Sequence, residues 1–363
     1  MRFLKKAAPA VSVAAYMSMI VGHAGAASFT VQTFATGAAV GATSPDSVEF
    51  GDGSLWISYQ NGADSTGASG ASTVVRYSPA GSVQSTWSIA GNVDGLRIDP
   101  STGLVWALQN NDGNSALTVI NPVTNGTTAY SYGSSYTANG NSATRGFDDA
   151  VFTKSQVLLS ETNPNTGTDP VVLRLTNGLS SAPLQVAGIL NSTVTGTNLA
   201  TGATGSTTIT DPDSLIKSPT GDLVLTGEAD KTLVFIHNAG TSNQTASFVS
   251  LLGTNGAAVS GSPDDTVFPT AAQGYIYVAD TGANKVYRLT ASGLLAGSVY
   301  VDVGNEFGNL NLATGVVTPI LTGVSPHGAQ FVATPEPASS VYALTGILLF
   351  GVLAIRRKAT RSR

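Results

Sequence analysis

The chain has 363 residues, 41 of them glycine, no cysteine, and 17 Lys and Arg against 22 Asp and Glu. Without cysteine there can be no disulfide, thiol nucleophile or cysteine-bound zinc, so core packing and hydrogen bonding must hold the fold together. The acidic excess argues against nucleic acid and anionic lipid as partners, because phosphate binding relies on clustered Lys and Arg.

Arg2, Lys5 and Lys6 open the chain, an apolar stretch rich in Ala, Val and Met follows, and Ala24-Gly25-Ala26 supplies the small residues a signal peptidase needs. Residues 1–26 therefore read as a signal helix, removed on export after Ala26, with Ala24 and Ala26 at the cleavage site. The body, 27–333, carries nine basic and 21 acidic residues between Ser28 and Ala333, a formal charge of −12.

After a first strand, Phe29 to Phe34, one pattern recurs six times. It reads Ser44-Pro45-Asp46-Ser47-Val48, Val93-Asp94-Gly95-Leu96, Phe147-Asp148-Asp149-Ala150, Asp211-Pro212-Asp213-Ser214-Leu215, Ser262-Pro263-Asp264-Asp265-Thr266 and Ser325-Pro326-His327-Gly328-Ala329. From Asp46 the spacings are 48, 54, 65, 51 and 63 residues, the range of β-propeller blades with loop insertions. Each copy is followed by a turn and an apolar strand, such as Leu55-Trp56-Ile57 or Tyr275-Ile276-Tyr277. A third alternating strand comes next, as at Val74 to Tyr77 and Val286 to Leu289, and in most units a fourth, as at Val83 to Ile89.

The expected fold is thus all-β, a propeller of six blades with four antiparallel strands each. An open ring would leave two exposed sheet edges, so Phe29 to Phe34 and His327 to Val332 are expected to complete one shared blade. Val299 to Val303, Leu310 to Leu312 and Val317 to Leu321 are assigned to that blade as well. The Gly- and Thr-rich stretch 191–208 reads as a surface insertion or extra hairpin.

The tail, 334–363, begins Thr334-Pro335-Glu336-Pro337, continues as 18 uncharged residues from Ala338 to Ile355, and ends with Arg356-Arg357-Lys358, Arg361 and Arg363. At about 1.5 Å per residue that run spans roughly 27 Å as a helix, close to a bilayer's hydrocarbon thickness. The basic end stays cytoplasmic, so the body lies outside. The two prolines keep Glu336 on extended, accessible backbone.

Pro335-Glu336-Pro337, an apolar span and Arg356, Arg357 and Lys358, in that order, resemble the PEP-CTERM sorting signal of Gram-negative bacteria. The resemblance covers about the last thirty residues. It implies processing by an exosortase and transient membrane insertion by the C-terminal helix. The chain would then pass from an inner-membrane intermediate to the cell surface or extracellular matrix. The body's repeated pattern is similar to NHL-type and gluconolactonase-like propellers, and Tyr275 to Asp280 with Asn284 to Leu289 carries the best local match. The Glu, Asn, Asn, Asp metal-ligand set of the gluconolactonase-like kind is not found at recognisable positions.

In a hairpin the start of the first strand and the end of the second share an end. Asp46, Asp94, Asp148, Asp213, Asp264 and His327 are therefore expected to ring one mouth of the central channel, joined by Glu161, Glu228 and Asp280. Gln60, Asn61, Gln109, Asn110 and Asp230, also at the ends of second strands, are expected at that same face. Crowded carboxylates raise one another's pKa or take up a cation, and Ca²⁺ suits such oxygens. The same repetition also arises from an Asx turn made six times. His327 alone breaks the series and could serve as general acid or base. Trp56, Trp87 and Trp106 read as core residues and His237 as an ordinary hydrogen-bonded one.

Two readings remain open from the sequence. One is a noncatalytic surface or matrix propeller that binds exopolysaccharide, surface protein or Ca²⁺. The other is a secreted gluconolactonase-like hydrolase or lyase with a metal at the channel mouth.

Overall fold

The computed structural model describes residues 27–334, apart from 133–145, 165–166, 181 and 296. The expected signal helix and the whole Pro335-to-Arg363 tail lie outside the described residues. Among the described residues no helix is long and apolar enough to cross a membrane.

The described residues form six sheets, arranged as the blades of a propeller. The innermost strands are Pro45–Gly51, Val93–Ile98, Phe147–Phe152, Pro212–Lys217, Pro263–Val267 and Pro326–Ala333. Each touches the next, and the last touches the first, so the ring is closed. These strands begin at the six copies of the repeated pattern.

The first three blades run outward in chain order. The first is Pro45–Gly51, Ser54–Tyr59, Ala71–Tyr77 and Val83–Ala90, all antiparallel. In the fourth, the hairpin Thr193–Asn198 and Thr204–Thr208 adds two strands beyond Thr245–Ser250, Thr193–Asn198 running parallel to it. The Gly- and Thr-rich stretch is thus an extra hairpin on a blade's outer edge.

The last two blades exchange strands, which corrects the expected hairpin assignments. Pro263–Val267 pairs with Val299–Val303, and Glu306–Asn311 and Val316–Thr322 complete that fifth blade. Gln273–Asp280 and Lys285–Ser292 belong instead to the sixth, between the C-terminal Pro326–Ala333 and the N-terminal Ser28–Thr36. The two ends of the body do share one blade, as expected. The three strands between Val299 and Leu321 lie in its neighbour.

Apolar side chains fill the six gaps between blades, one cluster per gap. Trp56, Trp87, Leu96, Val105 and Ile120 join the first blade to the second, and Val267, Tyr300 and Phe307 meet Ile276, Leu289 and Phe331 between the fifth and sixth. Second strands such as Leu55-Trp56-Ile57 are buried on both faces, which explains their unbroken apolar runs. Each fully buried large side chain contributes roughly 1.5–3 kcal/mol. All three tryptophans are core residues, and Trp56 stacks on Trp87 at 5.0 Å.

Candidate functional site

The six repeated polar residues sit on β-bulges. Pro45 faces Tyr59 and the next match is Val48 with Ile57, leaving Asp46 and Ser47 opposite a single residue. The same shift occurs between Val93 and Leu96, Phe147 and Ala150, Pro212 and Leu215, and Pro263 and Thr266. On the sixth inner strand His327 is the extra residue, between Pro326 and Gly328. A bulge bends the strand and re-aims its side chains, and here it turns the repeated residue towards the channel.

The opposite strand holds the bulge amides. Ser47 N–H donates to Ser58 Oγ at 3.0 Å, and Asp149 N–H to Ser160 Oγ at 3.0 Å. In the fifth blade the amides of Asp264 and Asp265 donate to Asp302 Oδ1, at 3.0 and 2.5 Å. In the third and fifth blades these amides are thus held from the opposite strand, and not by an Asx turn of Asp148 or Asp264, the role the repetition favoured.

Neighbouring inner strands approach closely at the second bulge position. A Cβ on Gly95 would overlap the Asp148 carbonyl, and one on Gly328 the Asp46 carbonyl. Ser47 Oγ donates to the Asp94 carbonyl. Where this position is aspartate, it bonds to the next blade: Asp149 Oδ2 accepts from Leu215 N–H and Asp265 Oδ2 from Ala329 N–H, both at 2.8 Å.

The mouth is a polar cavity of about 250 Å³. Asp46, Asp94, Asp148, Asp213, Asp264, Glu228 and His327 line it, and Gln60 joins them by donating from Nε2 to Asp94 Oδ1 at 3.2 Å. Oxygens of Asp94, Asp148 and Asp213 come within 4.8 Å of one another, as do ligand atoms of Asp46, Asp264 and His327. Both oxygens of Asp148, a residue only 3% exposed, have no hydrogen-bond partner among the described residues. His327 Nδ1 lies 3.2 Å from Asp264 Oδ2 and 3.8 Å from Asp46 Oδ1.

The other expected members do not line the cavity. Asp280 is buried outside the cavity lining, and its Oδ1 accepts from Ala283 N–H at 2.9 Å and Ser325 N–H at 3.1 Å, so it ties down a loop. Glu161 is buried and does not line the cavity. Asn61, Gln109, Asn110 and Asp230 bond to loops and neighbouring strands. His237 sits between Asp222 and Ser247, away from the channel.

Burial first, and neighbouring carboxylates second, push the mouth's acids upward. Asp94 rises to about 7, and Asp46, Asp148, Asp213 and Asp264 are held well above the usual carboxylate range. Desolvation moves His327 the other way, leaving its imidazole neutral at pH 7 despite the opposing field of Asp280.

Deeper in the channel lies a group that the repeat did not reveal. Arg97 reaches Asp149 at 2.5 Å, Glu49 at 3.5 Å and Asp265 at 3.8 Å, all largely buried. These bridge four blades across the centre. The available signals were the Asp148-Asp149 and Asp264-Asp265 doublets, and one arginine inside an inner strand of a chain poor in basic residues. Asp211 joins the mouth lining from the residue before Pro212.

No protein-family model matches the sequence, and no curated protein matches it. Solved structures with a similar chain path include virginiamycin B lyase from Staphylococcus aureus, at 14% identity over 83% of this chain and 92% of that one, with a TM-score of 0.46. A periplasmic gluconolactonase from Pseudomonas aeruginosa gives 17% over 80% and 89%, also with a TM-score of 0.46. A Bacteroides caccae protein of unknown function gives 13% over 80% and 87%, again with a TM-score of 0.46. None of these likenesses bears on what the mouth binds.

Proposed function

We propose that this protein is an exported propeller, delivered through its C-terminal tail to the cell surface or extracellular matrix, whose acidic channel mouth holds a divalent cation. The observation that carries the cation is Asp148: both carboxylate oxygens are buried and have no hydrogen-bond partner among the described residues, and one of them lies within 4.8 Å of an oxygen from Asp94 and one from Asp213. Leaving such a group without a partner costs several kcal/mol, on the order of 1–3 for each polar atom, and a cation removes that cost. An all-oxygen set favours Ca²⁺ or Mg²⁺, and a crowd of flexible carboxylates favours the larger ion. The occupied mouth would present that ion to polysaccharide or surface protein.

Calorimetric titration of the purified protein with Ca²⁺ tests the claim. We expect saturable binding, weakened at least tenfold by Asp148→Asn; the absence of binding by the unaltered protein would sink the proposal. For delivery, Glu336→Ala should slow removal of the tail in an exosortase-bearing host. Unaltered processing would count against sorting.

A second reading has one observation in its favour. His327 is neutral, half-exposed and within 3.2 Å of Asp264 at the rim of the same mouth, where a base could take a proton beside a bound metal. That arrangement suits a metal-assisted hydrolase or lyase.

A further inference from the structure

The channel's far end has the opposite chemistry to its mouth. There the inner strands leave a cavity of about 700 Å³ whose wall includes Phe50, Ile98, Phe152, Ile216, Phe268 and Phe331. That volume falls in the range of small-molecule pockets, roughly 300–1,000 Å³. Arg97 borders both this cavity and the polar mouth, so its side chain divides the channel into two chambers.

The floor decides which ligand fits. Its single guanidinium is engaged by Glu49, Asp149 and Asp265, three carboxyls for one positive charge. Burial lowers and these three acids raise the affinity of Arg97 for its proton, and the acids prevail, so it stays charged. An anionic head group would therefore meet an arginine already surrounded by acid. A cation meets surplus carboxylate, and it gains further from the negative faces of phenyl rings. Glu49 is the acid of that group which lines the chamber, and burial pushes it up to about 7 for want of a sufficient charge partner. At the outer rim Asp99 balances Lys217, and Asp52 is paired with Arg76 at 3.0 Å.

The geometry points to a second binding site, separate from the cation mouth, for a small organic cation with an apolar body. Its body lies against the Phe50, Phe152, Phe268 and Phe331 wall, and its ammonium lies on Glu49.

Three probes that share a naphthalene ring and differ in head group test this assignment: 1-naphthylmethylamine, 1-naphthalenemethanol and 1-naphthylacetate. Each is titrated into the purified protein at pH 8 and followed by naphthalene fluorescence. The amine should bind on the order of tenfold or more tighter than the alcohol, the size of a charge-assisted hydrogen bond, and the acetate weakest. Glu49→Gln should abolish the amine's advantage and leave the alcohol's affinity unchanged, whereas Asp148→Asn, in the other chamber, should preserve that advantage. Equal binding of amine and alcohol, preference for the acetate, or loss of the advantage in Asp148→Asn but not in Glu49→Gln overturns the assignment. The comparison of the three probes on the unaltered protein needs no variant, so a folding defect in Glu49→Gln leaves it decisive.

Discussion

His327 occupies the position that five other blades give to aspartate, and its chemistry differs in the way that matters at pH 7. The aspartates there are held up by burial and by one another, while desolvation keeps the imidazole uncharged and able to accept a proton. If the mouth turns over a lactone or ester, His327→Ala should lower the rate by about 10²-fold or more while Ca²⁺ binding persists. Equal rates for the two proteins in a metal-supplemented screen would remove the catalytic reading. The repeat made the ring residues visible in the sequence, because each follows a strand-opening Pro, Val or Phe at blade spacing. Asp149 and Asp265 showed only as doublets with a ring residue, and Glu49 had no mark of its own, because a charge beside or near a repeated residue looks like solvated surface until the bulge shows which way it points. Asp280 misled for the same reason. A carboxylate at a strand end faces solvent, a ring or its own loop amides, and only the loop geometry decides among them.

The bulge is the element on which the mouth depends, and the strand opposite must hold its amides. Two blades use a serine hydroxyl for this, Ser58 and Ser160, and the fifth uses Asp302, which is fully buried. Asp302→Ser should therefore be tolerated, with the hydroxyl taking the carboxylate's place. Asp302→Ala leaves two amides unpaired, that of Asp265 buried and that of Asp264 partly so, and should cost on the order of 2–4 kcal/mol in chemical denaturation, with weaker Ca²⁺ binding through Asp264. If both variants lose stability equally, the bulge does not need an acceptor there. Strand content was legible, since apolar alternation marks which faces are buried. Strand partnership in the last two blades was not. Gln273–Asp280 and Val299–Val303 are both apolar enough to lie beside an inner strand, and alternation sets the face of a strand without choosing its neighbour.

Across the whole molecule the acids of the channel make stability depend on pH. Asp94 and Glu49 rise to about 7 and Asp149 to about 6, whereas the unfolded chain releases these protons near 4. The folded form therefore binds more protons than the unfolded form between these values. The stability this confers is complete below about pH 4 and is lost as pH rises through about 7. Without divalent cations, Tm should fall between pH 5 and pH 8, and Ca²⁺ should restore most of the loss at pH 8. A flat profile would contradict the buried acid cluster. The number of blades could be read from the repeat, and so could the sharing of one blade by the two ends of the body. That shared blade also has a meaning in time. Its outermost strand, Ser28–Thr36, is among the first parts of the body to be synthesised, and its innermost, Pro326–Ala333, is the last. Until translation reaches Ala333 the early strand has a place in the sheet but no finished sheet to join, so the ring cannot close on a partial chain. A prematurely ended product is thereby left with open edges, and only a chain read through to its final strand can hide them.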